Sequence, residues 1–142
     1  MPIKNKVFVD SSFLVALYNL SDTLHDKTSE VNTRLASSDP DLYVSNYILL
    51  EVLTVLSQKI GRSKSVDIGE RIIHDGQIKV VHITEDLQEL SWDIFRSTGN
   101  KNMSFVDCSI LAVMQDRGLR YLLTFDKTDF TSLRRQFGFS FF

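Results

Sequence analysis

Short apolar runs rich in β-branched and aromatic residues alternate along this chain with longer stretches of helical spacing. Residues 6 to 9 form the first run and read as a buried strand. Ser11 or Ser12 can cap a helix running from Phe13 towards Leu20. A second helix is predicted from His25 to Ala36, broken by Ser37, Ser38, Asp39 and Pro40. Leu42 to Val44 make a short strand, and Ser45 or Asn46 caps a strong helix that ends near Gly61. Ser63 or Ser65 opens the next helix, which runs to His74, and Ile78 to Ile83 form a strand. Thr84 starts a helix reaching about Ser97, a loop follows from Gly99 to Met103, and Ser104 to Arg117 form a helix stopped by Gly118. Tyr121 to Phe125 are a strand, a polar turn comes next, and Phe137 to Phe142 add a last short strand. Strands that alternate with helices in this way predict an α/β fold: a three-layer α/β/α sandwich around a mainly parallel central sheet.

At 142 residues the chain suits one domain, residues 1 to 142, without an internal repeat or linker. A formal charge of −2 provides no global positive field, so nucleic acid would have to be met by local basic clusters. The single cysteine, Cys108, excludes an intramolecular disulfide and suits a reducing compartment. There is no stretch of signal-peptide type and no uncharged run long enough to span a bilayer. A cytoplasmic protein with no membrane partner is expected.

Four carboxylates fit poorly with ordinary solvated surface. Asp10 ends the first strand in VFVDSSFLVAL, at the kind of sheet rim where α/β proteins bind ligands. Glu51 lies within NYILLEVLTVL, with apolar neighbours on every side of the helix. A charge buried there needs a positive partner, either a core Arg or Lys or a bound cation. Asp107, in SFVDCSILAVM, has capping-box spacing with Ser104, yet shares a helical face with Ile110, Leu111 and Met114. Asp126 follows the strand ending at Phe125 and repeats the Asp10 pattern, with Asp129 as a rival in the same turn. Carboxylates gathered at strand ends and helix starts repel one another unless cations bind, and oxygen-only donors select Mg²⁺ or Mn²⁺ over zinc. His25, His74 and His82 lack zinc-ligand spacing and, like Cys108, read as structural or surface residues.

At these residues the chain resembles PIN domains, the fold of VapC-type toxins in toxin–antitoxin pairs. The matching stretches are FVDSSFLVAL, SNYILLEVL, SFVDCSILAVM and LLTFDKTDF, in the family's order and across nearly the whole chain. The resemblance implies a metal-dependent endoribonuclease that cleaves RNA phosphodiester bonds with metal-activated water. It places the catalytic, metal-holding acids at Asp10, Glu51, Asp107 and Asp126, with Mg²⁺ or Mn²⁺ as cofactor. Ser12, Ser104 and Thr124 take the family's supporting hydroxyl positions. The partners it implies are an RNA substrate, an antitoxin protein and a second copy of the chain. Cys108 stands where a small residue such as alanine is common.

Local basic residues offer RNA contacts: Lys101 before Asp107, and Lys127, Arg134 and Arg135 after Asp126. Leu14, Leu17 and Leu20 form an apolar face on the first helix, fit either for a partner or for the core. Two other readings stay open at this point: a catalytically silent PIN-like interaction module, and a free-standing PIN nuclease in RNA processing. A phosphatase or phosphorelay receiver fits less well. Ser12 stands where the haloacid-dehalogenase type of phosphatase has its second Asp, and KNKVFVD lacks a receiver's acid pair.

Overall fold

The computed structural model describes residues 3–142. Its core is a sheet of five parallel strands in the order β3-β2-β1-β4-β5. These are β1 (Lys6–Val9), β2 (Asp41–Ser45), β3 (Ile78–Val81), β4 (Tyr121–Leu123) and β5 (Ser140–Phe141). The expected mainly parallel sheet is therefore wholly parallel. In β1, Val7, Phe8 and Val9 are fully buried, which is why the central strand is apolar on both faces.

Helices α1 (Ser11–Tyr18), α2 (His25–Ser38), α3 (Asn46–Ile60) and α4 (Arg62–His74) fill the crossovers from β1 to β2 and from β2 to β3. Helices α5 (Glu85–Ser97) and α6 (Phe105–Arg117) return the chain from β3 to β4, and α7 (Lys127–Thr131) and α8 (Arg134–Phe137) lead on to β5. Right-handed crossovers put α1 to α4 on one face of the sheet and α5 to α8 on the other. The close packing of α1 on α3, of α3 on α4 and of α5 on α6 follows this division.

Several boundaries differ from the sequence reading, each for a physical reason. Asp10 itself, not Ser11 or Ser12, caps α1: its backbone is extended and its side chain accepts from the Ser11 N–H. Helix α4 starts at Arg62, straight after Gly61 at φ 94°, so neither Ser63 nor Ser65 opens it. Ser65 instead donates to the Leu53 carbonyl at 3.1 Å and joins α4 to α3. The polar turn after Phe125 is in fact two short helices, α7 and α8, anchored by buried Phe130 and Leu133. The last strand is confined to Ser140–Phe141 because Phe137 ends α8. Strands β3 and β4 also stop earlier, at Val81 and Leu123.

Helix α6 is the deepest helix, with Cys108 to Met114 buried without interruption and Gly118 closing it at φ 65°. It is apolar all round, so Asp107 does not mark one core-facing stripe. On α1, Leu14 lies in the core and Leu17 is half-buried, while Leu20 lies past the helix end and is exposed. Core packing is the role of the first two.

Candidate active site

In a parallel sheet every strand's carboxyl end lies on the same rim, and there the site assembles. Asp10 leaves β1 at this rim, its N–H still bonded to the Leu123 carbonyl at 2.9 Å. Its side chain is only 3% exposed. Oδ2 accepts from the Thr124 hydroxyl at 2.8 Å and from the Ser12 hydroxyl at 3.1 Å. Oδ1 accepts from the Ser11 N–H at 2.7 Å. The two hydroxyl groups are themselves held: Ser12 Oγ accepts from the Phe125 N–H at 3.0 Å, and Thr124 Oγ1 accepts from the Asp126 N–H at 2.9 Å. One polar lattice thus connects the ends of β1 and β4.

Glu51 reaches this lattice from α3. The buried Ser11 hydroxyl donates to Glu51 Oε1 at 3.0 Å and lies 3.4 Å from Asp10 Oδ1, standing between the two carboxylates. Glu51 is half-buried, as its apolar neighbours indicate, but α3 is not buried all round: its Leu50 is 68% exposed. Helix α3 is apolar on a face that the chain itself leaves uncovered. Ser11 is the residue that sequence reasoning passed over. A hydroxyl beside Asp10 reads as a helix cap, and its partner lies 40 positions away.

Asp107 sits in the first turn of α6 and forms the capping box with Ser104. Its N–H donates to Ser104 Oγ at 3.0 Å, and its Oδ2 accepts from the Ser104 N–H at 3.1 Å. Ser104 thus serves as the helix cap that its spacing with Asp107 indicates. Asp126 caps α7 without a side-chain bond and is exposed, while Asp129, one turn on, is half-buried. Asn100 donates to the Asp129 carbonyl at 2.9 Å and ties the loop that carries Lys101 to α7.

Electrostatics mark this end of the molecule. Burial pushes the Asp10 carboxyl up to about 6; the Thr124 hydrogen bond opposes this, and the charges of Asp107 and Asp126 add to it. Asp107 is raised by burial against the pull of its Ser104 bonds, with Asp126 and Asp129 raising it further. Asp126 is raised by partial burial of its carboxyl and by Asp129; as the residue is exposed, solvent screens much of that shift. Among the described residues no Lys, Arg or His forms an ion pair with Asp10, Glu51, Asp107 or Asp126; the ion pairs lie elsewhere. The neighbouring Cys108 thiol is buried and pushed up to about 11, so it stays protonated and inert.

An all-oxygen donor set in which Asp10, Asp107 and Asp126 are raised, with no ion-paired cation among the described residues, fits a hard divalent cation. Among the described residues no three acidic, His or Cys side chains stand close enough to grip one ion together.

The basic residues separate into two groups. Lys101 is exposed on the loop before α6. Lys127 and Arg134 both stand over the Phe141 ring, 5.7 and 5.5 Å from its centre, and Arg135 is exposed beside them in α8.

The PIN domain family model matches residues 7–135, and the chain belongs to the PIN domain family. Among its relatives, the 23S rRNA-specific endonuclease VapC20 of Mycobacterium tuberculosis is 32% identical over 120 residues, covering 84% of this chain and 88% of that protein. The crystal structure of the same VapC20, described as a sarcin–ricin loop cleaving toxin, superposes with a TM-score of 0.77 at 31% identity, covering 89% of this chain and 94% of that one. A toxin–antitoxin complex from Klebsiella pneumoniae gives a TM-score of 0.63 at 19% identity, over 89% of this chain and 92% of the other. DNA-bound VapBC from Salmonella typhimurium gives 0.65 at 14% identity over 97% of both chains. At these last two identities the likeness concerns the fold. No described helix is long and apolar enough to cross a membrane.

Proposed function

We propose that this chain is a Mg²⁺- or Mn²⁺-dependent endoribonuclease, the toxin of a toxin–antitoxin pair. The observation that carries the reading is Asp10: a buried carboxylate at the sheet rim, held by Ser12 and Thr124, linked through Ser11 to Glu51, and without a cationic partner among the described residues. Kinship with a 23S rRNA-specific endonuclease makes ribosomal RNA the first substrate class to test, and its description as a toxin makes an antitoxin the expected protein partner.

The cation's ligands would be drawn from Asp10, Glu51, Asp107 and Asp126. When bound, such an ion makes a coordinated water more acidic and offsets charge on the phosphoryl oxygens. The chain's own groups supply orientation. Thr124 and Ser12 both donate to Oδ2 of Asp10 and stop its carboxylate from rotating. Ser11 leans Glu51 towards Asp10. The capping box holds Asp107 on the first turn of α6, whose dipole favours the charged carboxylate.

The test is cleavage of a 23S rRNA fragment containing the sarcin–ricin loop by purified protein with Mn²⁺, with Mg²⁺ and with chelator. Cation-dependent cleavage, absent in Asp10→Asn, is the expected result. Cleavage unaffected by chelator, or retained in full by Asp10→Asn, would overturn the assignment.

A further inference from the structure

We infer that the α7–α8–β5 edge of the sheet, built on Lys127, Arg134, Phe141, Phe142 and Arg34, is the surface along which single-stranded RNA runs out of the site. This inference rests on the ribonuclease reading and adds where the substrate's backbone and bases lie.

Strands β4 and β5 are parallel neighbours, with Leu122 paired to Phe141, so both point their carboxyl ends to the rim that carries Asp10. Adjacent strands lie about 4.8 Å apart, so β5 is two spacings, about 10 Å, from β1. Lys127 directly follows Asp126 at the rim, and its ammonium reaches back to 5.7 Å from the Phe141 ring. Arg134 approaches the same ring to 5.5 Å. Consecutive strand residues face opposite sides, so Phe142 turns to the other face, where Arg34 of α2 lies 5.3 Å from its ring. The cations therefore wrap round the sheet edge on an aromatic base.

Chemistry then selects the occupant. Lys127, Arg134, Arg135 and Arg34 are exposed, and none forms an ion pair with an acidic side chain among the described residues. The chain as a whole is slightly acidic, so this local excess of positive charge is not a general surface property. Phe141 and Phe142 stay half-buried at the sheet edge. Unpaired cations beside partly open aromatic rings match the phosphates and base faces of single-stranded nucleic acid. Continuity with Asp126 through Lys127 makes this edge an extension of the reacting site rather than a separate patch.

The experiment uses the full chain carrying Asp107→Asn, with Mn²⁺, titrated with a fluorescent single-stranded RNA oligonucleotide at several salt concentrations. Lys127→Ala and Arg134→Gln should each weaken binding severalfold and reduce the slope of log affinity against log salt by about 0.7. Phe141→Leu should weaken binding roughly fivefold or more while leaving the slope unchanged. Arg117→Ala, an exposed cation paired with Asp116, should change neither quantity. Mn²⁺ binding by calorimetry, measured on each edge variant in the chain that keeps Asp107, reports that fold and site persist. If Arg134→Gln and Lys127→Ala bind RNA as the parent does, with Mn²⁺ binding intact, the inference fails. If they lose affinity only for a poly-glutamate peptide, the surface serves an acidic protein segment and the RNA path is likewise overturned. Cleavage by the wild-type chain is tested separately: its absence defeats the ribonuclease reading, whereas cleavage that persists in unweakened edge variants defeats only this inference.

Discussion

The Thr124 hydroxyl donates to Oδ2 of Asp10 at 2.8 Å, joining residues 114 positions apart at the centre of the sheet rim. This bond orients the carboxylate and lowers the pKa that burial raises, so one hydroxyl sets both the direction and the charge of the acid. Thr124→Val keeps the shape and removes the donor. We expect a loss of about 10- to 100-fold in Mn²⁺ affinity or RNA cleavage, as for other groups that support a metal ligand. Thr124→Ser should restore most of it, and calorimetry beside a cleavage assay measures both.

Asp107→Asn should reduce cleavage by at least about two orders of magnitude, since a direct ligand matters no less than the residues that support it. The fold should survive, because the Ser104 side chain still accepts the residue 107 N–H and a capping change costs about 1 kcal/mol. Circular dichroism and RNA cleavage on one preparation check the two halves of the statement.

Stability of the metal-free protein should have an unusual pH dependence. The Asp10 carboxyl rises from 3.8 in the unfolded chain to about 6 in the folded one. Between those values the folded chain binds the extra proton, so stability falls as pH rises. A shift of this size corresponds to roughly 3 kcal/mol, lost progressively from about pH 4 to pH 6.5. Asp107 and Asp126 are shifted the same way and reinforce the trend. Melting in chelator across this range is the measurement, and Asp10→Asn should flatten the profile.

Mg²⁺ or Mn²⁺ should reverse that loss. A ligand at 100 times its dissociation constant stabilises by about 2.7 kcal/mol through mass action. The melting temperature at pH 7.5 should therefore rise by several degrees with millimolar cation, and Asp10→Asn should abolish the rise. An unmoved wild-type transition would contradict the site.

The strands and most helices were legible because their signals are local. Val7 to Val9 carry an uninterrupted apolar run, and Thr84 and Ser104 cap their helices as their spacing indicates. Helices α7 and α8 were not legible: five and four residues are too few to show a helical period. Phe130 and Leu133 hold them by burial against the core, which is a tertiary effect. For the candidate acids, local pattern misses part of two surroundings. Glu51 is partly buried as its apolar neighbours indicate, yet its helix is not buried all round, because Leu50 faces out. Asp10 reads as leaving capping to the serines, whereas it caps α1 and anchors the polar lattice together. Ser11 stayed hidden because its meaning depends on a residue of another helix.

The placement of β1 in the middle of the sheet has a consequence for synthesis. Asp10 is made before its orienting partner Thr124 and before the acids at 51, 107 and 126. A growing chain displays the carboxylate long before it possesses the groups that aim it. A chain cut short before Thr124 therefore lacks the donor that orients the Asp10 carboxylate, however complete its first strand.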